Sequence, residues 1–116
     1  MQRVGDDQSG FSFGFDSEVQ ALQVKAWGFW SIEVAAAFGR KVKDACRELP
    51  KGVVVDFDML ELKPLREEGE LAFAALVTTL RSMGVGHVSI RTGPLTKLQL
   101  LRLAANSGAK DFVRFS

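Results

Sequence analysis

Apolar residues recur along this chain in two rhythms, one typical of strands and the other of helices. Phe11–Phe15 alternates strictly and places three phenylalanines on one face, and Ala21–Trp27 follows a polar turn as a second strand. Val53–Phe57 is a short β-branched run, typical of a strand inside a sheet. His87–Arg91 and Lys110–Phe115 predict a fourth and a fifth strand.

Three segments between these strands have helical spacing. The first helix is predicted to start after Ser31, which suits an N-cap, and to end before Pro50. The second opens near Pro64 and stops at Gly84, and the third follows the turn Thr92–Pro94. The third helix is expected to pack through one apolar face, formed by Leu98, Leu101 and Ala105.

The predicted order is β-β-α-β-α-β-α-β, which indicates an α/β fold with a mixed, mostly parallel sheet and helices packed against it. One domain is expected over residues 11–116, preceded by a flexible, polar arm over residues 1–10. Right-handed crossovers would bring three loops to one end of the sheet: Gly28–Trp30, Asp58–Lys63 and Thr92–Leu95.

Composition adds mainly exclusions. The 116 residues fit one domain, and 15 basic against 14 acidic residues give no field that would attract nucleic acid or an anionic membrane. No apolar run has the length of a membrane span, and the N-terminus lacks a signal peptide, so a cytoplasmic location is expected. Cys46, the single cysteine, is expected to be a buried free thiol.

The order of elements around Val53–Phe57 resembles the STAS domain of bacterial anti-sigma factor antagonists and stressosome proteins. The similarity is strongest from Gly52 to the C-terminus. Met83–Ile90 resembles the family's glycine turn into its next strand, and Leu98–Gly108 with Asp111–Val113 resembles its last helix and closing strand. This resemblance implies a STAS-like fold and a regulatory role in recognising other proteins.

One departure from the family is clear. STAS regulators carry a phosphorylated serine where the loop after the central strand meets the next helix. That location falls on Pro64–Glu67 here, which contains no hydroxyl. The resemblance therefore does not imply the phosphorylation switch.

Several possible reactive groups have simpler structural interpretations. Asp56 and Asp58 share one strand face, but two carboxylates do not complete a metal shell, and we expect them to bind loop N–H groups. His87, the only histidine, is expected to have a structural or solvent-facing role rather than a catalytic one. Gly84–Gly86 precedes a strand, whereas a dinucleotide fingerprint must follow one.

Three aromatic residues near one loop, Trp27, Phe29 and Trp30, allow two interpretations. In the first, they fold back over the core, where aromatic rings bury large areas. In the second, they form a recognition surface, since tryptophan is enriched at interface hot spots. Lys63 and Arg66 would then supply a polar rim.

The leading hypothesis is a non-enzymatic regulatory module that binds another protein, such as an anti-sigma or signalling protein, and uses no cofactor. The expected contact residues are Trp27, Phe29, Trp30, Asp58, Lys63, Pro64, Arg66 and Glu67. The alternative is a sensing domain whose aromatic-walled pocket binds a nucleotide or lipid. An enzyme built on Asp56, Asp58 and His87 ranks third, and a homodimer through an exposed edge at Phe11–Phe15 remains open.

Overall fold

The chain folds into a six-stranded sheet and three helices in a computed structural model that describes residues 2–116. The strands and helices follow one another in the order β1 Gln2–Gly5, β2 Ser9–Asp16, β3 Ala21–Gly28, α1 Ile32–Arg47, β4 Val54–Leu62, α2 Glu67–Ser82, β5 His87–Thr92, α3 Pro94–Asn106 and β6 Val113–Phe115. The predicted α/β fold is confirmed, with one strand more than expected.

The strands lie side by side in chain order. The β1–β2 and β2–β3 pairs are antiparallel, whereas β3–β4, β4–β5 and β5–β6 are parallel. Since each parallel step moves to the next strand in the same direction, right-handed crossovers place all three helices on one face. The expected mixed, mostly parallel sheet is therefore correct.

The hydrophobic core lies between that face and the helices. Four almost fully buried phenylalanines, one each from β2, α1, β4 and α2, form a continuous row through it: Phe11, Phe38, Phe57 and Phe73. The opposite face, here called the open sheet face, carries polar side chains that are half-buried or exposed: Ser12, Gln23, Lys25, Asp56, Asp58, Ser89 and Arg91.

The predicted flexible arm over residues 1–10 is wrong for the part that the structure describes, residues 2–10, which form β1, a turn and the start of β2. Val4 lies opposite Phe11 and packs against the core. The Asp6 carboxylate accepts hydrogen bonds from the backbone N–H groups of Gln8 and Ser9, which closes the turn. The glycine-rich, polar composition thus belongs to a hairpin.

This hairpin also changes which strand lies at the edge of the sheet. β1 covers β2 from Gly10 to Phe13, so the edge expected at Phe11–Phe15 is largely occupied. Only the end of β2 from Gly14 onward has no neighbour on that side among the described residues, and Phe15 there is partly exposed.

The predicted loop Asp58–Lys63 is also wrong, because β4 continues to Leu62. The register against β3 shifts between Lys25 and Trp27, which marks a bulge in β4, and the Asp58 carboxylate accepts a hydrogen bond from the N–H of Leu60 there. Met59 and Leu62 on either side are buried. Their burial keeps this segment in the sheet.

Two helix predictions need correction. α2 begins at Glu67 rather than at Pro64, because Leu65 folds into the core. The face of α3 that packs is formed by Thr96, Leu100 and Ala104. The predicted face points to solvent instead: Leu98, Leu101 and Ala105 are all exposed.

Gly28, at the end of β3, should not tolerate a side chain. Its φ is +78°, and an added Cβ would lie 1.9 Å from the carbonyl oxygen of Gln8. We expect Gly28→Ala to lower the free energy of unfolding by at least about 2 kcal/mol. Urea denaturation measures this change.

Gly39→Ala is the matched control. Gly39 lies inside α1, and an added Cβ would meet no atom within 4 Å. Alanine should stabilise the helix there by roughly 0.5–1 kcal/mol. Equal effects of the two substitutions would contradict the described turn after β3.

Candidate functional site

The loops that follow β3, β4 and β5 meet at one end of the sheet, as the sequence predicts. The N–H of Lys63 donates to the carbonyl oxygen of Gly28 at 3.1 Å, which joins the first two loops. The hydroxyl of Thr96 in α3 donates to the carbonyl oxygen of Leu62 at 3.2 Å. α3 therefore holds the end of β4 from the other side.

Gln99 of α3 fixes the segment Lys63–Arg66 between β4 and α2. Its Oε1 accepts from the N–H of Leu65 at 2.7 Å, and its Nε2 donates to the carbonyl oxygen of Leu65 at 2.7 Å. Nε2 also donates to Oε2 of Glu70 at 3.0 Å, and this carboxylate oxygen accepts from Arg102 at 3.0 Å as well. The segment is thus tied to both flanking helices.

Sequence reasoning missed Gln99. A single glutamine in a helix forms no sequence pattern, so the sequence does not show whether its side-chain amide bonds other residues or faces solvent. The indirect signal was that Gln99 lies between apolar positions on the packed side of α3, one turn after Thr96.

Two large apolar side chains stand exposed beside the fixed segment. Phe29 is 62% exposed, and Ile32, the first residue of α1, is 61% exposed. Ser31 between them accepts a hydrogen bond from the N–H of Val34, which confirms it as the N-cap of α1 and sets where Ile32 lies.

We call this region the carboxyl-end surface, because it lies where the parallel strands end. It consists of Phe29, Ile32, Lys63, Pro64, Arg66 and Glu67, all exposed. Arg66 occupies the N-cap of α2 and makes no side-chain cap bond, and Glu67 begins the helix. Five of the eight contact residues predicted from the sequence therefore lie in this surface.

Trp30 does not belong to it. It is 7% exposed, and its indole Nε1 donates to the carbonyl oxygen of Gly10 at 3.1 Å. Its ring packs against Phe38 at a centroid distance of 4.6 Å and against Phe11 at 6.1 Å. The core interpretation of Trp30 is correct, and its predicted role in contact with a partner is wrong.

Trp27 faces the opposite side of the sheet. Its Nε1 donates to the carbonyl oxygen of Asp6 at 2.8 Å, and the guanidinium of Arg3 lies 5.0 Å from its ring centroid. Together with the ion pair between Lys25 and Glu61, it lines a groove of about 440 Å³ on the open sheet face. The predicted pocket walled by three aromatics does not form, because each of the three has a different environment.

Asp58 also lies on the open sheet face, away from the carboxyl-end surface. Its Oδ2 is 3.9 Å from Nη2 of Arg91, and its Oδ1 binds the bulge described above. The expected bond to a backbone N–H is therefore present for Asp58, although Leu60 lies in β4 rather than in a loop; among the described residues, Asp56 makes no such bond. Within residues 2–116, no group of three or more histidine, cysteine or acidic side chains is arranged to hold a metal ion.

Of the two remaining reactive side chains, His87 is half-buried and Cys46 is buried. His87 starts β5, and its pKa is lowered by desolvation and by the positive charge of Arg114. Burial raises the pKa of the Cys46 thiol to about 11, which keeps it protonated at neutral pH, and the expected buried free thiol is confirmed. In the part of the chain that is described, no helix is both long and apolar enough to span a membrane.

Replacing Gln99 should loosen the fixed segment. Gln99→Leu keeps a similar volume but leaves the N–H and carbonyl of Leu65 without their partner. We expect the free energy of unfolding to fall by about 1–3 kcal/mol, measured by urea denaturation.

Gln23→Leu on the open sheet face is the control, since Gln23 is half-buried to a similar degree. It should change the free energy of unfolding by less than about 0.5 kcal/mol. If both substitutions cost the same, the Gln99 hydrogen bonds do not stabilise the fold as described.

Comparison with known proteins finds similarity at the level of structure. No protein-family model matches the sequence, and no curated protein matches it. A solved structure of the anti-sigma factor antagonist SpoIIAA in its unphosphorylated form is similar, with a TM-score of 0.65 and 10% sequence identity. The match covers 91% of this chain and 87% of that one. The expected resemblance is thereby confirmed at the level of structure, and the chain has a STAS-like fold.

Proposed function

We propose that this protein is a non-enzymatic regulatory module that binds another protein through the carboxyl-end surface. The observation that carries this proposal is the exposure of Phe29 and Ile32 beside a loop that Gln99 holds in place. Exposed apolar side chains on a fixed backbone can be buried by a partner with little loss of conformational entropy.

The composition of the surface supports the same function. Phe29 and Ile32 form an apolar centre, and charged side chains of both signs surround it: Lys63, Arg66 and Glu67. Protein interfaces commonly combine an apolar, aromatic centre with a polar rim. The rim would select a partner with complementary charges and would orient it.

The similar solved structure suggests a kind of partner. That protein is called an anti-sigma factor antagonist, a name that describes action on another protein. An anti-sigma factor or another signalling protein is therefore the partner we propose for this chain. Since Pro64–Glu67 contains no hydroxyl, we propose that binding is not controlled by phosphorylation of this segment.

A capture experiment tests the surface. Wild-type protein and the double variant Phe29→Asp with Arg66→Glu are used as immobilised bait, and bound proteins are quantified by mass spectrometry. Because both side chains are exposed, the double variant should keep the wild-type melting temperature. We expect it to lose at least about nine-tenths of the partner that the wild type captures, a loss of more than 1.4 kcal/mol in affinity.

Val19→Asp is the matched control. Val19 is 60% exposed and lies in the turn before β3, at the opposite end of the sheet. It should retain the partner in full. Retention by the folded double variant, or equal loss with Val19→Asp, would contradict the proposed surface.

The groove on the open sheet face supports a second candidate function, the binding of a small molecule. Trp27 offers a half-exposed ring and lies beside both cationic and anionic groups. A ligand present at about 100 times its dissociation constant should stabilise the fold by about 2.7 kcal/mol. A thermal-shift screen of nucleotides and lipids should then show a hit that Trp27→Ala removes, and a screen without such a hit would count against this function.

A further inference from the structure

The outward face of α3 is apolar along its length, although the helix already buries another apolar face. Leu95, Leu98 and Leu101 are 72%, 68% and 42% exposed, and Ala105 continues the row. Leu98, Leu101 and Ala105 are spaced three and four residues apart, so they lie on one side of the helix. We call this row the α3 stripe.

A stripe of this kind is unusual on a surface helix. The side of a helix that faces water normally carries charged and polar residues. α1 follows this rule, since its exposed positions include Arg40, Lys41 and Asp44. In α3 the stripe takes the place of such residues, and contiguous exposed apolar area often marks an interaction site.

The two charged residues of α3 itself are both positive. Lys97 lies one turn before Leu101, and Arg102 lies one turn after Leu98, so the two cations flank the row on opposite sides. Pro94–Asn106 contains no acidic residue. Within residues 2–116, no acidic side chain pairs with Lys97.

Arg102 keeps donors for a partner. One of its nitrogens binds Glu70, yet its side chain is 65% exposed, and a guanidinium has five N–H donors. The stripe therefore presents leucines between two available cations.

Charge and area together argue against a second copy of this chain as the occupant. Two α3 helices packed stripe to stripe would bring basic flanks together, and like charges facing each other are unfavourable. The apolar area of the stripe is on the order of 300 Å², well below the roughly 800 Å² per partner of a standard stable interface. A single helix is a better match to this size.

We propose that the α3 stripe binds one amphipathic helix of a partner protein, whose apolar row is flanked by Asp or Glu. The leucines of the stripe would pack against the apolar row, and Lys97 and Arg102 would pair with the carboxylates on either side. The contact would be helix against helix, with apolar side chains at three- and four-residue spacing on both partners. The stripe shares no residue with the carboxyl-end surface, and its proposed role does not depend on the function proposed for that surface.

A selection from a displayed library tests the chemistry directly. The library consists of 18-residue amphipathic helices with leucine at the apolar positions and with Asp, Glu, Lys, Arg, Ser and Gln mixed at the flanking positions. Selection on the wild-type protein should enrich Asp and Glu at those flanks. The affinities of the enriched peptides are then measured by fluorescence anisotropy.

The double variant Leu98→Ser with Leu101→Ser should bind the enriched peptides at least about tenfold more weakly. Leu60→Ser, a control that removes one exposed leucine from β4 (58% exposed), should bind them as the wild type does. Lys97→Glu should weaken acidic peptides and favour peptides with basic flanks. Because these side chains are exposed or half-buried, each variant should fold as the wild type does. The melting temperature of each variant checks this.

Four results would overturn the proposal. They are the absence of an enriched family, enrichment of basic or neutral flanks, unchanged binding to Leu98→Ser with Leu101→Ser, and loss of binding with Phe29→Asp and Arg66→Glu. A self-association in sedimentation that Leu98→Ser abolishes would assign the stripe to a second copy. Binding to anionic vesicles that the same variant abolishes would assign it to a membrane.

Discussion

The two hydrogen bonds between the Gln99 side-chain amide and the main chain of Leu65 determine the shape of the end of the sheet where the parallel strands finish. They pair a helix side chain with both polar groups of one loop residue, much as a neighbouring strand would. Leu65 is held in the core as a result, and α2 starts two residues later. The segment that carries Pro64 and Arg66 therefore projects from a fixed backbone.

Helices cover only one face of the sheet, and this places Trp27, Phe29 and Trp30 in three different environments. All helices pack on the same side, so strand positions alternate between the core and the open sheet face. Trp27 belongs to the open face, whereas Trp30 enters the core after the chain turns at Gly28, where φ is positive. Phe29 lies between them and is left exposed. The end of β3 and the loop after it thus supply one wall of a groove, one exposed aromatic side chain and one core anchor.

The sequence predicted the features that depend on local periodicity. The strands around Phe11 and Phe57 and the three helices follow from hydrophobic spacing and from their turns. The polar N-terminal residues were misassigned, because a short hairpin strand is stabilised mainly by its neighbour and carries little pattern of its own. The extension of β4 was missed because the pair Leu60 and Glu61, at its bulge, breaks the alternation.

The candidate site was predicted only in part, because local periodicity does not show contacts between residues that are far apart in the sequence. Exposed loop residues such as Lys63 and Arg66 follow from the order of the elements, but the role of Gln99 depends on a contact across 34 positions of sequence. The packed face of α3 was also misassigned, since leucines occur on all its sides and periodicity could not choose between them. For this reason the sequence did not indicate that the α3 stripe is exposed.

The most direct test of this account is the rate of hydrogen exchange at the amide of Leu65 in the free protein. If Gln99 holds the segment, this amide should exchange slowly, with protection close to that of Phe57 in the centre of β4. Exchange as fast as that of Ser17, an exposed turn residue, would show that the segment opens readily. That result would contradict a fixed interaction surface.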